Sequence, residues 1–189
     1  MLEKIPGTVL SFNSSAAENS YSLISPLLTV TKGLTLAQVT ALTGLEPSTI
    51  QNWVKRGWVK NPEGKRYGEE QVMRIILINM MRGSMQLEQI AFLMGYINGS
   101  VDDRSDDILP DRELFNILCS IIYECEQKAV YNTCELEGII NSRLEKVTVS
   151  DSISKNKLKT ALSAMVLAIL STRMRELAQK AFMELEGVV

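Results

Sequence analysis

Apolar residues recur along most of this chain at spacings of three and four, a period that predicts helices rather than strands. Leu36, Val39 and Leu42 form the first clear run, with Thr35 placed to cap a short helix and Gly44 placed to end it. After a tight turn, Pro47 suits the first position of a second helix, in which Ile50, Trp53 and Val54 repeat before Gly57 stops it. Two short helices around a tight turn have the outline of a helix-turn-helix. Trp58, Val59 and Tyr67 then flank the polar loop from Lys60 to Arg66, whose Asn61, Pro62 and Gly64 are turn formers, and this predicts a small β wing. Val72, Ile75, Ile76 and Met80, then Leu87, Ile90 and Leu93, predict the inner faces of two supporting helices separated by Gly83 and Ser84.

The apolar content falls and acid accumulates between Asn98 and Asp107, which marks a junction. Pro110 and Asp111 start a new helical pattern carried by Leu114, Ile117, Leu118, Ile121, Ile122 and Cys125, and a weaker one follows in Ala129, Thr133, Leu136, Ile140 and Leu144. The last and longest pattern, Lys157 to Leu185, is apolar on two faces. Leu158, Leu162, Met165 and Ile169 make one; Leu167, Leu170, Met174, Leu177, Ala181 and Leu185 make the other. A helix with two apolar faces needs two neighbours, and the tail before it covers about one, so a homodimer is expected with Leu170, Met174, Leu177 and Ala181 in its interface. Before the first clear run, Ser22 to Val30 predicts a short helix or an extended anchor, since Pro26 limits a helix interior. The expected fold is mainly α, with a winged helix-turn-helix head followed by an all-helical C-terminal domain. The expected division is an extension over 1–32, a head over 33–97, an acidic linker over 98–110 and the helical domain over 111–189.

Charge separates these parts. The whole chain carries −2, yet between Ile50 and Gly68 five cations, Lys55, Arg56, Lys60, Lys65 and Arg66, stand against Glu63 alone. A basic patch on an acidic protein matches what contact with the phosphates of double-stranded DNA requires. From Ser100 onward, 11 Lys and Arg face 15 Asp and Glu, so the tail is not a DNA surface.

The string Thr35-Leu36, Val39, Leu42-Thr43-Gly44, Thr49-Ile50, Trp53, Lys55-Arg56-Gly57, Pro62, Lys65-Arg66-Tyr67-Gly68-Glu69-Glu70 and Leu87-Glu88-Gln89-Ile90 resembles the N-terminal domain of MerR-type bacterial transcription regulators, over about a third of the chain. More narrowly, the chain is similar to a family of regulators from low-GC Gram-positive bacteria with a MerR-like head and a different helical tail. The resemblance implies DNA binding by the second helix and the wing, with Thr35, Ser48, Thr49, Gln51, Asn52, Lys55, Arg56, Lys60, Lys65, Arg66 and Tyr67 as candidate contacts. Helical spacing independently keeps Gln51, Asn52 and Lys55 off the apolar stripe. Gln and Asn can pair with adenine in the major groove, while Lys and Arg suit phosphate or guanine. The sequence departs from the family where an Arg is usual, at Gln51, and where an acid is frequent, at Val54. In MerR-type proteins the tail usually dimerises and senses a small-molecule effector, but the resemblance stops before this tail.

Other chemistries find little support. With no histidine in the chain, the Ser-His-Asp and Cys-His routes to nucleophilic catalysis are closed, and no Gly-rich phosphate loop occurs. No enzyme activity and no cofactor are expected. Cys119 and Cys125 are six residues apart, on different faces of a helix, and no Cys-x-x-Cys occurs, so the three cysteines read as structural thiols in a reducing cytosol and no metal site is expected. Glu113 stands twelfth from Asp102, as in a calcium loop, but Asp107 occupies the sixth position, where such a loop needs Gly. No leader pattern is evident, and the longest apolar-rich stretch, Ala161 to Leu170, is too short to cross a bilayer. These features point to a cytoplasmic DNA-binding transcriptional regulator. The alternative is a protein-protein interaction module that keeps the winged fold without binding DNA.

Overall fold

Helices take up most of the chain in a computed structural model that describes residues 4–12, 17–99, 107–130, 132–185 and 187. Among the described residues the elements run α1 (Ser25–Thr31), β1 (Leu34–Thr35), α2 (Leu36–Thr43), α3 (Pro47–Lys55), β2 (Arg66–Tyr67), α4 (Glu69–Met81), α5 (Leu87–Asn98), α6 (Asp111–Lys128), α7 (Thr133–Leu144) and α8 (Ser152–Leu185). The protein is mainly α, and its one sheet pairs β1 with β2 antiparallel, Leu34 opposite Tyr67 and Thr35 opposite Arg66.

Local chemistry sets these bounds. The Thr35 hydroxyl accepts the amide of Gln38 while the Gln38 carboxamide oxygen accepts the amide of Thr35, a reciprocal box that starts α2. Gly44 ends that helix in the left-handed region at φ 70. Pro47 lies in the first turn of α3, where its missing N–H costs nothing. Pro26 does the same for α1, so the apolar segment from Ser22 to Val30 is resolved as a 3-10 turn at Ser20–Leu23 followed by a short helix. Asp151 caps α8: its carboxylate accepts the amides of Ile153 and Ser154 and the hydroxyl of Ser154, and this holds the acid at about 2, well below the usual carboxylate range.

Helix α4 is the axis of the molecule. The pattern predicts one inner face, but Met73, Leu77, Ile78 and Met81 are buried as completely as Val72, Ile75 and Ile76. The reason lies in its neighbours: α2, α5, α6 and α8 all pack against it. One continuous cluster of buried side chains therefore runs from Val39 and Trp53 through α4 to Leu118 and Leu162.

Polar contacts lock the same joint. Arg74 donates from Nε to Asp111 at 2.7 Å, both groups being almost fully buried, and Asn98 donates to the other Asp111 oxygen and to the carbonyl of Leu109. Asp111 is thus not a solvated acid at a helix start, as its place after the acidic stretch suggests, but half of a buried ion pair. Gly83 lies so close to α8 that an added Cβ would meet Thr172 at 2.6 Å, and the Ser84 hydroxyl donates to the Ala168 carbonyl. The divider between α4 and α5 is therefore a docking point on α8. The Tyr21 backbone amide donates to Asn116 on α6 and its phenol donates to Glu69 at the start of α4; burial first, and then the Glu69 carboxylate, pushes that phenol up to about 12. Of the calcium-loop comparison, positions 102–106 lie outside the described residues.

Candidate nucleic-acid interface

Helix α3 divides cleanly. Ile50 and Trp53 point into the core, 0% and 1% exposed, while Ser48, Gln51, Asn52 and Lys55 are all exposed. At about 100° per residue these four fall within roughly 100° of one another, so they form one polar row on the outer face. Thr49 lies at the edge of that row, half-buried.

The loop between α3 and β2 ends in a tight turn. Glu63 and Arg66 exchange both backbone hydrogen bonds, 3.0 and 2.9 Å, around Gly64 and Lys65. Both central residues have positive φ, 55 and 64, which defines the two-residue hairpin turn whose twist matches paired strands. Glycine takes that conformation freely; lysine does so at a cost, and the result is an ammonium held at the exposed tip.

The five cations are not equivalent. Arg56 donates to Glu88 on α5 at 3.0 Å and stacks over the Trp58 ring at 5.0 Å. Arg66 donates from Nη1 to the carbonyls of Thr31 and Gly33, tying the turn to the end of α1. Lys55, Lys60 and Lys65 make no ion pair among the described residues, and all three are exposed. Two further candidates serve the fold: the Thr35 side chain is taken up by the α2 cap, and Tyr67 is 4% exposed, its phenol pushed up by burial. Tyr67 does not face outward as the resemblance implies, because its place opposite Leu34 turns it into the core. Lys32 lies beside the turn, although its position before β1 assigns it to the extension: it lines a hollow of about 480 Å³ with Lys60, Arg66, Glu63, Glu69 and Glu70, so cations and acids share that hollow. The signal for it was the Lys-Gly pair: Lys32 itself takes the left-handed cap of α1, at φ 48, and turns the chain toward β1.

The cysteines lie elsewhere. Cys119 and Cys125 are buried in α6, and burial pushes their thiols up to about 12 and about 11, while Cys134 is exposed. Among the described residues no three Cys, Asp or Glu side chains gather as a metal site would need. A thiol reagent at neutral pH is expected to titrate one cysteine in the folded protein and three after denaturation, since buried, protonated thiols do not react. Rapid reaction of two or three in the folded state would show that α6 opens. No helix among the described residues is long and apolar enough to cross a membrane.

Comparison with known proteins gives two relationships. A domain family described as "Domain of unknown function (DUF1836)" matches residues 27–116, from α1 into the second turn of α6. That segment contains the α3 row, the turn with Lys65, and both halves of the Arg74–Asp111 pair. The curated "Uncharacterized protein YkrK" of Bacillus subtilis (strain 168) is 32% identical over 78 residues, 39% of this chain and 34% of that protein. The chain thus spans about a third of the length of the relative it matches. No solved structure matches it.

Proposed function

We propose that this chain is a cytoplasmic DNA-binding transcriptional regulator without enzymatic activity, its head a MerR-like winged helix-turn-helix and its helical tail a dimerisation and effector module. The observation that carries this reading is the single exposed row of Ser48, Gln51, Asn52 and Lys55 on α3, beside a turn that presents Lys65. A short helix with an outward polar row has the form that enters a major groove, and an adjoining hairpin that holds cations is suited to the backbone next to it. Gln51 and Asn52 would read base edges; Lys55, Lys60 and Lys65 would meet phosphates. A hollow of about 420 Å³ lined by Pro6, Asn79, Ile122 and Thr172 touches the N-terminal segment, α4, α6 and α8 together, and is where a small-molecule effector would act on head and tail at once.

One observation favours the alternative, an interaction module. Arg56 and Arg66 already have partners within the chain, which lowers the charge available to phosphate. Selection of duplex fragments by the purified protein, followed by Gln51→Ala and Asn52→Ala, separates the two. Each variant is expected to lose about 1–3 kcal/mol on the selected sequence and far less on random duplex, because only base contacts carry sequence information. Equal losses on both would remove these residues from base recognition. If no duplex is retained at all, the interaction module is the better reading.

A further inference from the structure

Helix α8 is 34 residues long, on the order of 50 Å, and its own chain covers only part of it. Leu158, Leu162, Met165, Val166 and Ile169 are buried against α4 to α7, but every residue from Met174 to Leu185 is exposed. Along the other side run Leu167, Leu170, Met174, Leu177, Ala181 and Leu185. At about 100° per residue these six fall within roughly 80°, opposite the buried face. Leu167, Met174, Leu177 and Leu185 are 46, 40, 44 and 85% exposed, an apolar stripe of a kind that single soluble chains rarely leave uncovered.

The stripe is not uniform. Beside its N-terminal half, α7 and the chain before it form a wall, and Val130, Leu136, Leu167, Leu170 and Met174 enclose an apolar groove of about 220 Å³. Along its C-terminal half every residue from Met174 to Leu185 is exposed, so among the described residues Leu177, Ala181 and Leu185 project freely. Concave and convex halves thus lie on one helix, on either side of Met174.

We propose that the occupant of this face is α8 of a second copy, running antiparallel, with the two-fold axis at Met174. In that register Ala181 of each copy lies against Leu167 of the other, and the bare end of each helix fills its partner's groove. A two-fold contact must be self-complementary, and this one is, because each copy supplies both the groove and the projection. A parallel pairing fails on shape: it sets groove against groove and α7 against α7, and leaves the projecting ends to meet each other alone. The inference rests on the dimerisation part of the proposed function and adds its direction and register; a monomer would end that part, while DNA binding by α3 and the turn is tested separately and can stand.

The test uses the full chain without DNA. Light scattering at a concentration on the order of 10 μM should give a dimer, since an interface of ordinary size is populated there. Met174→Glu with Leu177→Glu should raise the dissociation constant at least about 100-fold with helical circular dichroism unchanged, because each buried carboxylate would have no partner. Oxidative cross-linking sets the direction, in a Cys134→Ser background because Cys134 is the exposed native thiol. A mixture of Leu167→Cys and Ala181→Cys chains should give a mixed disulfide dimer, and Ala181→Cys alone should not cross-link. A monomeric native protein would overturn the proposal, and cross-linking of Ala181→Cys to itself would overturn the antiparallel register. These variants keep the apolar face nearly intact and their remaining native thiols, Cys119 and Cys125, are buried, so the answer does not depend on how well the glutamate variant folds.

Discussion

Arg74→Ala is expected to cost about 3–5 kcal/mol of stability, the range for removing one partner of a buried ion pair. The size follows from what is left behind. Asp111 is 3% exposed, and without Arg74 its carboxylate keeps, among the described residues, only the hydrogen bond from Asn98, whose amide is shared with the Leu109 carbonyl. Desolvating a carboxylate to that extent is tolerable beside a guanidinium and costly alone. The pair also spans the joint between α4 and α6, so its loss should loosen the tail from the head as well as lower the urea midpoint. A double variant, Arg74→Met with Asp111→Leu, should recover most of the loss, since two apolar groups leave no charge to bury. Urea unfolding of the single and double variants decides the matter. A cost below about 1 kcal/mol for Arg74→Ala would mean that water reaches Asp111 and that the pair is not a closed structural link.

The second large effect concerns binding. A variant with Lys55→Ala, Lys60→Ala and Lys65→Gly should bind duplex on the order of 100-fold more weakly near 0.1 M salt, and the slope of log affinity against log salt should become shallower by about 2.7. Each lysine that meets a phosphate releases condensed counterions, and this release sets both numbers. Glycine is chosen at position 65 because the backbone there has φ 64, so the turn survives the loss of the ammonium without strain. The thermal midpoint should not fall, because these three side chains are exposed and carry no ion pair among the described residues. If affinity and slope stay where they were, the basic stretch does not meet phosphate and the interaction-module reading gains.

What the sequence shows and what it hides follow from the range of the forces involved. The Thr35 cap, the Gly44 stop, the Pro47 start and the outward row on α3 depend on residues within four positions of one another, so period and capping chemistry reveal them directly. The same locality exposes the second stripe on α8, because an apolar row at helical spacing is visible whether or not anything covers it. The turn before β2 is half visible in the sequence: Asn61, Pro62 and Gly64 announce it, while the left-handed Lys65 at its tip emerges only when Glu63 and Arg66 pair.

By itself, then, the order of residues determined most of the helices, the ends of α2 and α3, the polar face of α3 and the second apolar face of α8, but not every limit: α8 begins at Ser152 rather than Lys157, and Ala129 caps α6 rather than joining α7. Tertiary structure alone decided that α4 is enclosed on all sides, that Gly83 is a contact with α8, and that Asp111 belongs to Arg74. It also decided which cations remain available, by drawing Arg56 to Glu88 and Arg66 to the carbonyls of Thr31 and Gly33. These pairings join residues some 30 to 90 positions apart, and side chains so distant meet only after the apolar faces of their helices have packed.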